Sequence, residues 1–290
     1  KASINRGKLK ILIIGFGKLG SNLYFALKGK KGIRLSAVKS KREKLTAGMI
    51  NAAEVIFICT RDSQIAEAVK QITSSGVSLK KKIIFHTSGS LTSDELKSLS
   101  AKGAYTGSFH PVQTFEKRVR RDVGRFKDIY IALEGSRKAI ITGSQLARLV
   151  GAKPFELRKE NKVYHHICCV IASNFLTALN RQIEKIISKK IRINGFKNLS
   201  FFNIYMPLAT QSLKNIAKSG TIDSLTGPFE RNDVITIEKH LKALSNGSKD
   251  VLSVYLLMGI ETVKLSLEKK SLSHGDSVKI MKLLSKYLIK

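Results

Sequence analysis

Between Leu9 and Gly20 the chain reads Leu-Lys-Ile-Leu-Ile-Ile-Gly-Phe-Gly-Lys-Leu-Gly. The apolar run Ile11–Ile14 stops at Gly15, and Gly15, Gly17 and Gly20 then follow the G-x-G-x-x-G spacing. Leu19 to Leu27 continues with helical periodicity. This order predicts a buried parallel strand, a tight turn, and a helix whose free backbone N–H groups face a pyrophosphate. In that reading Gly15 makes the turn, Gly17 lets the backbone approach the phosphates, and Gly20 lets the helix pack close to the strand. Phe16, Lys18 and Leu19 complete the candidate cofactor loop.

The 290 residues can hold two domains, and a hydrophobic content of 43% supports real cores. No apolar run approaches the roughly 20 residues of a membrane span, and the start of the chain lacks a signal-peptide core. Three cysteines, with Cys168 and Cys169 adjacent, do not make a disulfide framework, which fits a reducing cytoplasm. The net charge of +31 raises the question of nucleic acid. The basic residues are spread from Lys8 to Lys290 rather than concentrated on one segment, so a solvated lysine-rich surface is favoured over a phosphate-tracking face. Such a surface still attracts an anionic cofactor and an anionic substrate.

Further apolar segments alternate with helical ones. Ile33–Val38 reads as a second strand. An NAD enzyme would place an acid at its end to bind the ribose; here the sequence is Lys39-Ser40-Lys41-Arg42. These donors suit a 2′-phosphate and favour NADP(H) over NAD(H). Glu54–Cys59 and Lys82–His86 are the next strands. Thr60 and Ser88 follow them at carboxyl ends, where open α/β sheets bind ligands. Cys59 reads as a small core residue. In Gly107-Ser-Phe-His-Pro111, the proline holds His110 extended at a strand end, where a histidine can hydrogen-bond a carbonyl or hydroxyl and move a proton. Phe126–Leu133 reads as one more strand and Ser144–Val150 as a helix.

After Pro154 strands are expected to stop, and five amphipathic segments follow, near Lys162–Ser188, Leu199–Lys218, Glu230–Leu244, Lys249–Leu267 and Ser277–Leu288. The expected organisation is therefore residues 1–153 as a doubly wound parallel Rossmann sheet and 154–290 as an all-α substrate and dimerisation domain. On a regular helix Lys162, His166 and Asn174 share a drifting stripe, while His165 points nearly opposite Asn174. Lys162 and Asn174 are candidates to bind a carboxylate or carbonyl and assist proton transfer. Leu225-Thr-Gly-Pro-Phe-Glu-Arg-Asn-Asp233 forms a turn, with Asn232 or Asp233 as a helix cap and Arg231 as a candidate clamp for an anionic substrate.

Taken together, the segments Gly15–Gly20, Ser108–Phe115, Tyr164-His165, Ala172–Leu179 and Leu225–Asp233 resemble Rossmann-like bacterial proteins with a C-terminal DUF2520 domain. These sit within the wider 6-phosphogluconate-dehydrogenase-like and ketopantoate-reductase-like group. Asn174-Phe-Leu-Thr-Ala is similar to the Asn-Pro-Leu-Thr-Ala segment of ketopantoate reductases. The lysine of that family falls on His166, and its middle asparagine on Val170, with Lys162 one turn earlier. The Gly-x-x-His-Pro segment resembles prephenate and arogenate dehydrogenases, which implies that His110 contacts substrate. The resemblance implies reduction of a small anionic 2-oxo acid such as ketopantoate by NADPH in a cleft between two domains, in a homodimer. On this reading His110 or Lys162 protonates the alkoxide, while Asn174 and Arg231 orient the substrate. The alternatives are a prephenate-type oxidation and a non-catalytic NADP(H)-binding sensor. No metal is expected.

Overall fold

The computed structural model describes residues 8–38, 43–190 and 201–288. Its first compact unit runs to Ser173 and its second begins at Asn174.

The first unit is built on seven strands: β1 (Leu9–Ile14), β2 (Ile33–Val38), β3 (Val55–Ile58), β4 (Ile83–His86), β5 (Tyr105–Pro111), β6 (Tyr130–Gly135) and β7 (Lys153–Glu156). Their order across the sheet is β2-β1-β3-β4-β5-β6-β7. The first five are parallel; β6 runs antiparallel to β5, and β7 runs parallel to β6. Alternate side chains enter two separate cores, as a sheet covered on both faces requires. Ile11, Ile13 and Phe57 lie in one, and Leu12, Ile14 and Ile56 in the other. In the first, Phe57, Phe85 and Phe109 form a cluster of rings 5.1 to 5.8 Å apart.

The register sets the position of the site. Ile14 pairs with Val38 and Ile58, Ile58 with His86, and His86 with Ser108. The strand ends therefore form one row, and the turns after them emerge along one edge. The chain leaves β1 toward β2 on one side and returns to β3 on the other, so the β1/β3 junction is the switch point where doubly wound sheets bind ligands.

Among the described residues the first unit also holds the α-helices α1 (Lys18–Leu27), α2 (Ala47–Ala52), α3 (Ile65–Thr73), α4 (Lys97–Ser100), α5 (Arg137–Leu149) and α6 (Lys162–Cys169). Strands do not stop at Pro154, because Lys153–Glu156 is β7 and Leu133 pairs with Glu156. The strand read over Phe126–Leu133 is Tyr130–Gly135, and the helix read from Ser144 begins at Arg137. The compact units part at Ser173/Asn174, beyond the expected Lys153/Pro154 boundary.

A π-helical turn, Val170–Phe175, follows α6 directly. The second unit holds α7 (Leu176–Lys190), α8 (Phe201–Ile204), α9 (Met206–Asp223), α10 (Val234–Ser245), α11 (Lys249–Glu268) and α12 (His274–Leu288). Its core is made by Phe229, Ile237, Leu241, Leu256, Ile280 and Leu284. The Gly-Pro segment has a packing role within it. Phe229 is buried, and a Cβ at Gly259 would lie only 3.0 Å from its ring. No helix among the described residues is long and apolar enough to cross a membrane.

Candidate active site

The glycine turn has the geometry its spacing predicts. Gly15 has φ of +92°, and a Cβ there would lie 2.9 Å from the Cys59 carbonyl oxygen. A Cβ at Gly20 would lie 2.0 Å from the Gly15 oxygen, so α1 crosses β1 at a separation only glycine permits. A Cβ at Gly17 would meet no protein atom within 4 Å, which leaves that side of the turn accessible. Gly17 also caps α1, whose first turn carries no acid. This is the arrangement that fits a dinucleotide diphosphate: open backbone, free helix N–H groups and no competing carboxylate. Thr60 Oγ1, beside it at the end of β3, is buried without a hydrogen-bond partner among the described residues. Lys39, Ser40, Lys41 and Arg42, the candidate 2′-phosphate binders, lie outside the described residues.

The fold ties the segment Lys117–Val119 to this turn. Val119 N–H donates to Ser21 Oγ at 3.1 Å, and Asn22 Nδ2 donates to the Lys117 carbonyl at 3.2 Å. The Arg118 guanidinium lies over the Phe16 ring, 5.9 Å from its centre.

Beyond β4 the loop Thr87–Leu91 is held by side chains. Ser88 Oγ donates to Asp62 Oδ2 at 2.7 Å and accepts from Leu91 N–H at 3.1 Å. His86 is fully buried, with Nδ1 accepting from Ser88 N–H at 3.2 Å and Nε2 beside the Thr92 carbonyl at 3.0 Å. These partners place its proton on Nε2. Burial, with the nearby Lys162 charge, pulls its pKa down to about 4. Ser88 thus organises a loop; its hydroxyl is already engaged.

Two side-chain pairs then stack between β5 and α6. Ser108 and His110, two residues apart, share one face of β5. Lys162 and His165, three apart, share one side of α6. Lys162 Nζ donates to Ser108 Oγ at 2.5 Å and to the Ser88 carbonyl at 3.0 Å. His110 Nδ1 and His165 Nε2 are 3.1 Å apart. Lys162 is only 1% exposed. Burial brings its pKa down to about 8, opposed by the more distant charges of Glu134 and Asp62. Glu134 is itself held by the backbone and hydroxyl of Ser93, at 2.8 and 2.6 Å. Burial, then the charges of His165 and Lys162, push His110 down to about 3, so its imidazole is neutral near pH 7.

His166 also borders this cluster, its ring 6.4 Å from that of His110. Gly89 lies against both: a Cβ there would be 2.7 Å from His166 Cδ2 and 2.8 Å from His110 Nε2. The regular-helix stripe linking Lys162, His166 and Asn174 does not describe this segment. The π turn starts at Val170 and changes the residue count per turn before Asn174, and His165 is the closer partner of His110. Asn174 and Arg231 belong to the second unit and are exposed there. Asp233 is the helix cap, accepting from Thr236 N–H at 3.0 Å and Thr236 Oγ1 at 2.7 Å. His240 pairs with the Tyr255 hydroxyl at 2.9 Å.

Sequence reasoning misses Ser108 and Glu134 as site residues: the two-residue spacing of Ser108 from His110 is a usable signal, and nothing local marks Glu134.

Residues 129–262 match the family model described as a domain of unknown function, DUF2520. The match includes Lys162, His165 and Cys169 and begins before the expected helical domain. A search of curated protein sequences returns no significant match. Among solved structures, a proposed NADP oxidoreductase from Bacteroides fragilis aligns at 21% identity and a TM-score of 0.71, over 89% of this chain and 98% of its own. A protein from Thermotoga maritima aligns at 23% and 0.63, covering 89% and 97%. A reductive aminase from Aspergillus terreus, solved with NADPH and ethyl levulinate, aligns at 16% and 0.56, covering 97% and 94%. At these identities the likeness is one of fold. The chain has a Rossmann-type α/β fold, and its residues 129–262 match the DUF2520 model.

Proposed function

We propose that this protein is an NADP(H)-dependent oxidoreductase acting on the carbonyl of a small anionic substrate, with 2-oxo acids such as ketopantoate the first class to try. The observation that carries the reading is the shared carboxyl edge. The open glycine turn after β1 and the buried Lys162–Ser108 pair beside His110 belong to one row of strand ends. The NADP-linked names of two of the structural relatives support the choice of cofactor.

Gly15–Gly20 and the α1 N-terminus would hold the diphosphate. When bound, NADPH supplies the hydride. The chain's own residues then act on the substrate oxygen. His110 offers Nε2, since Nδ1 faces His165. Lys162, protonated near pH 7 and without a carboxylate at contact distance among the described residues, contributes a positive field that favours negative charge developing on that oxygen. Asp62, Ser88 and Ser108 fix the walls around it.

The test is NADPH consumption against a panel of 2-oxo acids and cyclic oxo acids, in the parent and in Lys162→Met. Turnover that falls sharply in the variant supports the reading. Tight NADPH binding with no turnover on any member would select the sensor alternative.

A further inference from the structure

Beside the Lys162–Ser108 pair lies a second cluster, of which the hydride-transfer reading uses only His110 Nε2. His110 comes from β5, while His165 and Cys169 lie one turn apart on α6. His110 Nδ1 and Cys169 Sγ approach the same atom, His165 Nε2, at 3.1 and 3.8 Å. All three donor atoms lie within 4.8 Å of one another, and all three residues are partly exposed.

Hydrogen bonding does not satisfy this triangle. An imidazole nitrogen carries either one proton or one lone pair. Nε2 of His165 can therefore donate to His110 or accept from Cys169, but not both. A cation facing three lone pairs satisfies all of them. With metal–nitrogen bonds of about 2.0–2.1 Å and a metal–sulfur bond of about 2.3 Å, a tetrahedral ion sets its ligands about 3.3 Å (N to N) and about 3.6 Å (N to S) apart. The two contacts to Nε2 are close to those separations. The donor set has two nitrogens, one sulfur and no carboxylate. That selects a borderline-soft transition ion over calcium or magnesium, which require oxygen. The π turn beginning at Val170, immediately after Cys169, is the kind of helix distortion that recurs at functional sites.

We propose that His110 Nδ1, His165 Nε2 and Cys169 Sγ bind a divalent transition-metal ion of the zinc class, with a fourth position left for solvent or an exogenous ligand. Binding forms the metal–sulfur bond and breaks the S–H bond of Cys169, whose proton passes to the buffer. The proposal does not depend on NADP(H), and binding rather than turnover tests it.

The experiment titrates metal-free protein with Co²⁺ and follows absorbance, then displaces the cobalt with Zn²⁺ and reads stoichiometry by calorimetry. One equivalent should bind, with tetrahedral ligand-field bands and a thiolate-to-cobalt charge-transfer band. Cys169→Ala should remove the charge-transfer band, and His165→Gln should weaken binding by at least about tenfold. Cys168→Ala, at the exposed neighbouring thiol, should leave both unchanged. Circular dichroism of each variant establishes that it is folded; if Cys169→Ala is not, His165→Gln decides. Absence of a charge-transfer band in the parent would overturn the site. So would its survival in Cys169→Ala, or affinity for Co²⁺ unaltered in His165→Gln.

Discussion

Lys162 Nζ donates to the Ser108 hydroxyl at 2.5 Å, joining the first turn of α6 to the centre of β5 at a point almost closed to solvent. The ammonium is hydrogen-bonded but faces no carboxylate at contact distance among the described residues, so its charge remains available to the site. Because its pKa is near 8, activity should fall as pH rises through about 8 and the positive charge is lost. Lys162→Met should lower kcat at pH 7 by about 100-fold or more and abolish that limb of the pH profile. Its thermal midpoint should change little, since a buried charge and its desolvation cost leave together. A parental pH profile in the variant would remove Lys162 from the proposed role.

His86 makes the first unit acid-sensitive. Its folded pKa, about 4, lies below the ordinary 6.5 because burial and then Lys162 disfavour the cation. A depressed histidine means the unfolded chain binds the extra proton. The His86 contribution is present above pH 6.5 and is lost as pH falls toward 4, at most of order 3 kcal/mol. Urea unfolding at pH 7.5, 5.5 and 4.5 should show His86→Gln less stable at the highest pH but with a shallower decline.

Gly89 is the spacer between two imidazoles. Gly89→Ala would place a methyl 2.7 Å from His166 Cδ2 and 2.8 Å from His110 Nε2. The rings should be displaced, with a fall in kcat of about tenfold or more and shifted imidazole resonances for both histidines. Unmoved resonances would refute the packing.

The glycine turn separates a binding effect from a folding effect. Gly17→Ala adds a methyl into open space, so the fold should be retained while NADPH affinity drops by about tenfold. Gly20→Ala drives a methyl into the Gly15 carbonyl oxygen and should destabilise the unit itself. Calorimetric binding and thermal melts of the two variants distinguish these outcomes.

In the second unit Asp233 caps α10 through Thr236. Asp233→Ala should cost about 1 kcal/mol, a shift of a few degrees in Tm, without altering NADPH affinity.

The βα alternation, the glycine turn and the helical second half were legible because each depends on neighbours in sequence. A continuous apolar run such as Ile11–Ile14 marks a strand buried on both faces, and the positive φ of Gly15 is a local backbone demand. Asp233 as a cap was equally local. Chain contacts over longer distances were not visible. Lys153–Glu156 is too short and polar a run to announce a strand, and becomes β7 only because β6 offers it an edge. The π turn from Val170 departs from the regular helix that the periodicity predicts, because it depends on packing rather than on spacing.

Local spacing is enough to place a strand, a glycine turn and a helix over Leu9–Leu27, and His110 at a strand end. The packed fold alone brings Lys162 to Ser108, sets His110 Nδ1 and Cys169 Sγ against His165 Nε2, and fits Gly89 against the His110 and His166 rings. Residues 54 and 74 positions apart meet only when sheet register and helix placement are both fixed. Those are set by the burial of the whole core, and no local spacing encodes them.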